Sequence, residues 1–380
     1  MKEIQRGYKV KLYPNKEQEQ QLLKIAGACR FIYNYFLDRK KTEYLQNGKN
    51  LTYNMLSREL TQLRKEIKWL SDVQAVPLQQ SLRNLDVAYN KFFSGQNKFP
   101  KFHTKKSKQS IRKVNGWSIK DNKIVLQRGV SIRFRGNFPL EAQGTLTITR
   151  DSVGDWYAAT IGYEEVKQPK LKGAIGIDLG LTHIAITSNG KKFDNPRVLK
   201  GLLRQLQVAS KALSRTKKGS KTRQKKRIVL AKLHRKVERV RKNGLHHISK
   251  AIVSKNHAII AVEDLAVKNM MKNRKLSRAI GDVSWNELLR QITYKQEWNG
   301  GQVVKIGRFF PSSKTCFSCN FIIDKLPLNI REWECPKCNS ILDRDINAAQ
   351  MILKQAEEQL EVEGKTEKKR KLTMTTPAKL

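Results

Sequence analysis

Long apolar runs are missing from this chain. No window approaches the roughly 18 apolar residues that a membrane-spanning helix needs. The stretch Met1 to Pro14 is interleaved with charge and has no apolar core of a secretory signal. Cysteine is scarce as well: there are five in 380 residues, four of them in two Cys-x-x-Cys pairs. That usage excludes a secreted disulfide scaffold and suits a metal site in a reducing compartment. Acidic residues are the third shortage, with 33 Asp+Glu against 76 Lys+Arg and a net charge of +43. An enzyme for a small neutral metabolite is thereby excluded as the default, and a polyanionic partner, most commonly nucleic acid, is implied. The chain is nevertheless 39% hydrophobic, too apolar for a disordered polycation. The expectation is a soluble, intracellular protein of two to three domains with no membrane partner.

The pattern of apolar residues changes along the chain. Tyr8-Lys9-Val10-Lys11-Leu12 alternates with period two and predicts a strand ended by Pro14. Asn15 and Gln18 have capping-box spacing. They open a helix with Leu22, Ile25, Ala26, Cys29, Ile32, Tyr33 and Phe36 on one stripe, which makes Cys29 a core residue. Further helices run to about Phe93. Leu146–Ile148 and Trp156–Tyr163 flank a turn at 151–155, a hairpin signature. Helices enclosed by strands predict a small β-barrel-like unit with a helical insertion, followed by a linker at Val166–Lys172. The second half reads as an α/β domain. Its strands are Ala174–Ile177, His183–Thr187, Ala258–Val262 and Val303–Ile306; a long helical stretch spans Leu202–His247, and a last helix spans Asp345–Lys354. From Gln355 onward the chain reads as a disordered tail. Its Lys368-Lys369-Arg370-Lys371 run has the look of a nuclear-import patch and carries little weight in such a composition.

Three carboxylates stand out by context. Asp178 ends the apolar strand within Gly176-Ile177-Asp178-Leu179-Gly180. Glu263 ends Ala258-Ile259-Ile260-Ala261-Val262, and Asp345 opens the final helix. A charge at the end of an apolar strand is costly to desolvate unless it is paired or bound to a cation. Three that converge would form an oxygen-rich site suited to Mg²⁺, and two such ions could drive phosphodiester hydrolysis. Asp343 reads as a cap and Asp264 as a solvent-facing acid. Cys316-x₂-Cys319, fifteen residues, then Cys335-x₂-Cys338 has zinc-ribbon spacing. Closure by four thiolates would make that zinc structural. Between Lys211 and Lys242 there are fifteen Lys/Arg against one Glu, while Leu230, Leu233, Val237 and Val240 recur at helical spacing. A helix packed on one side with a phosphate-tracking face on the other is expected, its affinity falling with salt by roughly 0.9 log units per phosphate on duplex DNA. The stretch 98–113 mixes Phe99, Phe102 and His103 with lysines, which suits either base stacking or a plain basic loop.

These residues resemble TnpB, a family of RNA-guided nucleases encoded by insertion sequences and related to compact type V CRISPR effectors. The resemblance runs from Tyr8-Lys9-Val10-Lys11-Leu12-Tyr13-Pro14 to Asn347-Ala348-Ala349. It is carried by Gly-Ile-Asp-Leu-Gly-Leu (176–181), the basic Leu213–Arg215 to His234–Arg235 helix pair, Val262-Glu263-Asp264-Leu265, the two cysteine knuckles and Asp-Arg-Asp-Ile-Asn-Ala-Ala (343–349). It implies an RNase H-like (RuvC) nuclease domain at 169–315 and 339–354 with a zinc ribbon at 316–338. It also implies an oligonucleotide-binding-like β-barrel wedge domain at 1–13 and 114–168 carrying a helical recognition insertion at 14–113, with the tail at 355–380. Asp178, Glu263 and Asp345 would be the catalytic, Mg²⁺-holding residues, with two ions per site, and Cys316, Cys319, Cys335 and Cys338 the Zn²⁺ ligands. Partners would be a guide RNA from the element end and target double-stranded DNA, bound by a monomeric ribonucleoprotein that reads a short motif beside the target. Tyr53, Asn54, Gln80, Lys101 and Thr104 would face the motif duplex. Arg215, Lys217, Lys218, Lys221, Arg223, Lys225, Lys226, Arg227 and Arg235 would contact nucleic acid. One departure is visible: Asn320 and Asn339 follow the knuckles where the family usually has Gly. Asn tolerates the left-handed conformation, so the zinc site is expected to survive.

Three other readings compete. An RNase H-fold DNA transposase would use the same ion, but its carboxylate order usually ends in Glu, whereas the order here is Asp, Glu, Asp. A guide-RNA-dependent repressor without cleavage would be favoured by loss of an acid, and all three are present. A zinc-ribbon RNA-binding protein leaves the three carboxylates unexplained.

Overall fold

The computed structural model describes residues 1–105, 109–126, 130–139, 144–327 and 329–374, with side chains in the last helix described through 363. The centre of the basic stretch 98–113 and the side chains of Lys368–Lys371 lie outside the described residues. The chain divides into two compact units, Glu3–Glu165 and Met1–Lys2 with Val166–Leu380.

The first unit opens with β1 (Lys2–Tyr13), followed by α1 (Lys16–Asn47), α2 (Tyr53–Glu66), α3 (Lys68–Ser71) and α4 (Ala75–Phe93). Six strands follow: β2 (Gln109–Lys113), β3 (Trp117–Lys120), β4 (Lys123–Leu126), β5 (Val130–Arg135), β6 (Leu146–Arg150) and β7 (Trp156–Val166). The seven strands form one nearly closed, barrel-like sheet in the order β2-β6-β7-β1-β5-β4-β3. The capping box is formed: Gln18 N–H donates to Asn15 Oδ1 at 2.8 Å, and Asn15 N–H donates to Gln18 Oε1 at 2.9 Å. The α1 stripe then serves two cores. Leu22 and Ala26 pack into the sheet with Val10, Ile132 and Trp156, while Ile32, Tyr33 and Phe36 pack against Leu56, Leu78 and Leu85 of the helices. Cys29 is buried in that second core, and burial pushes its thiol up to about 12. At the hairpin turn, Asp151 Oδ1 accepts from the backbone N–H of Val153, Gly154 and Asp155, each at 2.9 Å.

The second unit contains β8 (Ala174–Asp178), β9 (His183–Thr187), β10 (Lys192–Asp194), α5 (Val198–Ser214), α6 (Lys221–Val253), β11 (Ile259–Glu263), α7 (Val267–Met270), α8 (Ser277–Val283), α9 (Trp285–Trp298) and β12 (Gln302–Ile306). It ends with β13 (Glu332–Glu334), β14 (Ile341–Asp343) and α10 (Arg344–Met374). Its main sheet has the order β10-β9-β8-β11-β12. β8, β9 and β10 form an antiparallel meander, and β11 and β12 join parallel to β8, an RNase H-like arrangement. One face carries Ile175, Ile177, Ile260 and Val262 and packs against Leu245 and Ile252 of α6 and Trp285, Leu288 and Ile292 of α9. The other face carries Ala261, Val304 and Ile306 and packs against Ile352 and Ala356 of α10.

The helical stretch over 202–247 is a helical hairpin, the helix pair that the resemblance implies. Arg223 closes it by donating to the carbonyls of Leu213 and Thr216 at 2.9 Å each, which satisfies the end of α5. Two other expectations change. Within α6, Val237 is buried but Val240 is 46% exposed; the packed residues lie mostly further on, at Leu245, Ser249, Ile252 and Val253. The first half of α6 therefore stands out as a basic rod. The last helix does not stop near Lys354 but runs to Met374. Ile352, Ala356 and Leu360 recur every four residues, so the sheet-facing stripe continues past the point where a disordered tail was expected. Among the described residues no helix is long and apolar enough to cross a membrane.

Candidate functional site

The register of the sheet places two of the three singled-out acids side by side. β8 and β11 run parallel with Ile177 opposite Val262, so Asp178 and Glu263 end adjacent strands on the same sheet edge, roughly one strand spacing of 4.8 Å apart in backbone. Side chains alternate along a strand. Gly176 and Asp178 therefore share a face, as do Ala261 and Glu263, and that face is the one α10 covers. A Cβ at Gly176 would lie 2.0 Å from the Ala349 carbonyl oxygen. Glycine is thus what lets α10 rest directly on β8. Asp345 lies four residues, one helical turn, before Ala349, and this contact delivers it to the same end of the sheet.

The electrostatics record the convergence. Burial, then the charges of Glu263 and Asp345, push the Asp178 carboxyl up to about 7. Burial also raises Glu263, against a hydrogen bond from the Ser312 hydroxyl that draws it down. Asp345 is held by Arg331 Nη1 at 3.2 Å. Asp343 caps α10 by accepting from the N–H of Asp345 and Ile346, each at 3.0 Å, and it pairs with Lys192 at 2.7 Å. Asp264 is ion-paired with Arg308 rather than facing solvent alone.

The four knuckle cysteines form a second, tighter cluster. Among the described residues they are the metal-ligating group whose donor atoms all lie within 4.8 Å of one another; the three carboxylates do not draw that close. Cys316 and Cys338 Sγ are 3.7 Å apart, and Cys319 and Cys335 Sγ are 3.5 Å apart. Tetrahedral Zn²⁺ with Zn–S near 2.3 Å requires an edge of about 3.8 Å, so the residues fit that ion. The two knuckles repeat one geometry. Asn320 N–H donates to the Cys316 carbonyl and Asn339 N–H to the Cys335 carbonyl, each at 2.9 Å. Both asparagines have positive φ, 59° and 55°, the conformation expected of them.

Ribbon and carboxylates are linked by residues that pattern reading gave no role. Ser312, four residues before Cys316 and 5% exposed, donates to Glu263. Asn347 is buried at the start of α10. Its Nδ2 donates to the Thr315 carbonyl at 2.7 Å and its Oδ1 accepts from Phe317 N–H at 2.9 Å. Arg331 lies in the ribbon. A serine four positions before the first knuckle and an Asn two positions after the helix acid were the available signals.

The residues expected to contact nucleic acid fall in both units. Lys217, Lys218, Lys221, Lys225, Lys226 and Arg227 are exposed along the α5–α6 hairpin, as is Arg215, while Arg223 is engaged in its closure and Arg235 is half-buried. In the first unit Asn54, Lys101 and Thr104 are exposed. Tyr53 is half-buried beneath Arg83, whose guanidinium sits 4.8 Å from its ring, and Gln80 is buried.

Comparison with known proteins follows the same division. Residues 158–274 match the OrfB_IS605 family profile, described as "Probable transposase". Residues 285–352, which hold the thiol cluster, match "Cas12f1-like, TNB domain". A third profile, described as a helix-turn-helix domain, matches residues 1–49, although this segment forms a 12-residue strand and a single 32-residue helix. A Streptomyces pristinaespiralis protein named "Putative RNA-guided DNA endonuclease" is 34% identical over 93% of this chain and 90% of its own. "Putative RNA-guided DNA endonuclease InsQ" of Escherichia coli K12 is 30% identical over 93% and 92%. Among solved structures, the Cas12f1–sgRNA–target DNA complex aligns with TM-score 0.62 at 12% identity, over 92% of this chain and 98% of that one. The mini-RNA-guided endonuclease Cas_phi3 aligns with TM-score 0.51 at 9% identity, over 92% of each. With near-full-length relatives at this identity and a fold shared from end to end, the chain belongs to the TnpB family of insertion-sequence proteins, the family of the OrfB_IS605 profile.

Proposed function

We propose that this protein is a Mg²⁺-dependent, RNA-guided DNA endonuclease whose catalytic carboxylates are Asp178, Glu263 and Asp345. The observation that carries the reading is the pairing of two parallel strand ends with the start of α10, in a chain whose relatives bear that name. Three acids at one sheet edge are costly by themselves, as the raised Asp178 records. Hard oxygen donors in this number fit Mg²⁺, which when bound would supply charge for a phosphodiester in hydrolysis and a deprotonated water. Glu263 is aimed by Ser312, so its free oxygen points in a set direction. Arg331, 60% exposed beside Asp345, is placed to trade that carboxylate for a phosphate oxygen. The zinc ribbon holds Ser312 and Asn347 in position and contributes no open coordination site of its own. The basic hairpin α5–α6 and the first unit would grip the structured RNA and the duplex beside the target, with sequence read by base pairing.

The protein purified at high salt with its native flanking DNA should carry one dominant structured RNA with a variable 3′ segment. Loaded with a matching guide, it should cut DNA. Asp178→Ala, Glu263→Ala and Asp345→Ala should each abolish cutting and leave RNA binding intact. Cutting by all three variants would remove the active-site assignment. A heterogeneous smear or no RNA would move the transposase reading forward, which the description of the OrfB_IS605 profile favours.

A further inference from the structure

The second unit holds a cavity of about 710 Å³ outside the carboxylate cluster. Its walls are the β8–β9 connection at Leu181 and Thr182, the beginning of α5, and the segment from Arg274 into α8. Five cations line it: Arg197, Lys200, Arg274, Lys275 and Arg278. One acid lines it too, Asp282, but that charge is already engaged. Arg241 Nη2 donates to it at 2.7 Å, and Leu199 N–H in the first turn of α5 donates to both of its oxygens at 3.2 and 3.1 Å. None of the five cations forms an ion pair among the described residues, and all five are exposed. The first turn of α5 contains no acidic residue, and Arg197 caps the helix by backbone alone, with φ 44°. A helix N-terminus already favours an anion; here five unmatched charges stand around it.

Like charges brought to one cavity repel, and an anion of several charges relieves the arrangement more fully than small counterions do. Three of the five are arginines, whose planar guanidinium pairs with phosphate through two hydrogen bonds. Leu199, Leu203 and Ala279 supply an apolar floor between the cations, which suits sugar and base faces rather than a bare ion. Position supplies the rest: Leu181 and Thr182 follow Asp178 by three and four residues, so this wall of the cavity lies within about 14 Å of the end of β8. We propose that this cavity holds the phosphodiester backbone of a nucleic-acid strand alongside the carboxylate site. The inference rests on the nuclease reading for its direction, toward Asp178, and on the cavity itself for its chemistry.

The test is binding of a fluorescent single-stranded DNA oligonucleotide to the full chain, without divalent cation, as a function of salt. The triple variant Arg274→Gln/Lys275→Gln/Arg278→Gln should lower affinity roughly tenfold or more and flatten the salt slope by about 2, at roughly 0.7 per lost contact on a single strand. Its melting temperature should be unchanged, since the three side chains are exposed and unpaired. Lys167→Gln/Lys170→Gln/Lys172→Gln removes the same charge from an exposed segment elsewhere in the unit and should change the slope by less than half as much. Equal effects from the two triples would reduce the cavity to bulk charge and overturn the proposal. So would displacement by inorganic triphosphate with no change in oligonucleotide slope, which would mark a site for small polyphosphates. Because this assay needs neither guide nor cleavage, a nuclease reading that fails with Asp178→Ala leaves its result standing.

Discussion

Two ligand sets in the second unit differ in how they are assembled. The four thiols come from positions 316 to 338, each knuckle shaped by its own backbone, and they close to within 4.8 Å. The three carboxylates come from positions 178, 263 and 345, brought together by strand register and one glycine contact, and they remain further apart. Soft thiolates gain by surrounding one ion completely, which suits a structural site. Like-charged carboxylates without a cation repel, and two of the three lean on another partner: Ser312 for Glu263, Arg331 for Asp345. A closed cluster is a property of a short segment, whereas an open one is a property of the whole sheet.

The comparison can be broken most forcefully at the thiols. Structural zinc contributes apparent free energies of about 10 kcal/mol or more in small domains. Cys316→Ser should therefore abolish stoichiometric zinc by elemental analysis and remove a cooperative transition from the melting profile, with the Asn347 clamp lost as well. An unchanged profile would count against a structural zinc.

Asp178→Asn should act in the opposite sense on stability. The folded carboxyl is raised from 3.8 to about 7, so its contribution to stability is complete below about pH 4 and is lost as pH rises through 7. In metal-free protein the amide should be more stable near pH 7.5 by up to about 4 kcal/mol, at roughly 1.4 kcal/mol for each pH unit between the two values. The gain should vanish toward pH 4. Added Mg²⁺ should stabilise the native protein and not the variant. Melting curves at the two pH values decide it, and a gain that persists at pH 4 would point to packing instead.

Gly176→Ala sharpens the contrast by attacking only the carboxylate set. The new methyl would meet the Ala349 carbonyl and displace α10, at a cost of about 1–3 kcal/mol. Cleavage should fall while zinc content stays stoichiometric; simultaneous loss of zinc would show the two sets to be one unit. The smallest effect is expected at their junction. Ser312→Ala removes the donor to Glu263, worth about 1 kcal/mol, so the Mg²⁺ concentration for half-maximal cleavage should rise about fivefold. Ser312→Thr should restore it. An unaltered Mg²⁺ requirement would reduce the hydroxyl to a packing role.

Different parts of this molecule were legible to different degrees. The knuckles, the capping box at Asn15 and the hairpin turn at Asp151 could be read directly, because each is settled by residues within a few positions of one another. The acids could be picked out singly, since a carboxylate ending an apolar strand is conspicuous. Their meeting followed only from the family resemblance and from no local pattern, because parallel register is fixed by crossovers of dozens of residues. Periodicity alone read the helical hairpin as one stretch, and only the family resemblance gave a helix pair, because Arg223, which closes its turn, looks like any other lysine-or-arginine position in a basic run. The five cavity cations were passed over because they lie up to 81 positions apart. The far end of α10 was misread because Ile352, Ala356 and Leu360 form a thin stripe among charged neighbours, and a stripe of that width counts only when a sheet face is present to receive it.

By itself, then, the sequence determined the local matters: where strands and helices begin, which cysteines pair into knuckles, that the chain carries a large positive charge, and which family it resembles. Those follow from dihedral preference, side-chain periodicity and net charge, which act over short distances or over the whole composition. Only the tertiary structure decided that Asp178, Glu263 and Asp345 share one edge, that Ser312 serves Glu263, and that Arg197 and Arg278 face one cavity. Contacts of that kind depend on close packing, in which a missing methyl at Gly176 permits a helix to lie on a strand and so sets the position of an acid one turn away.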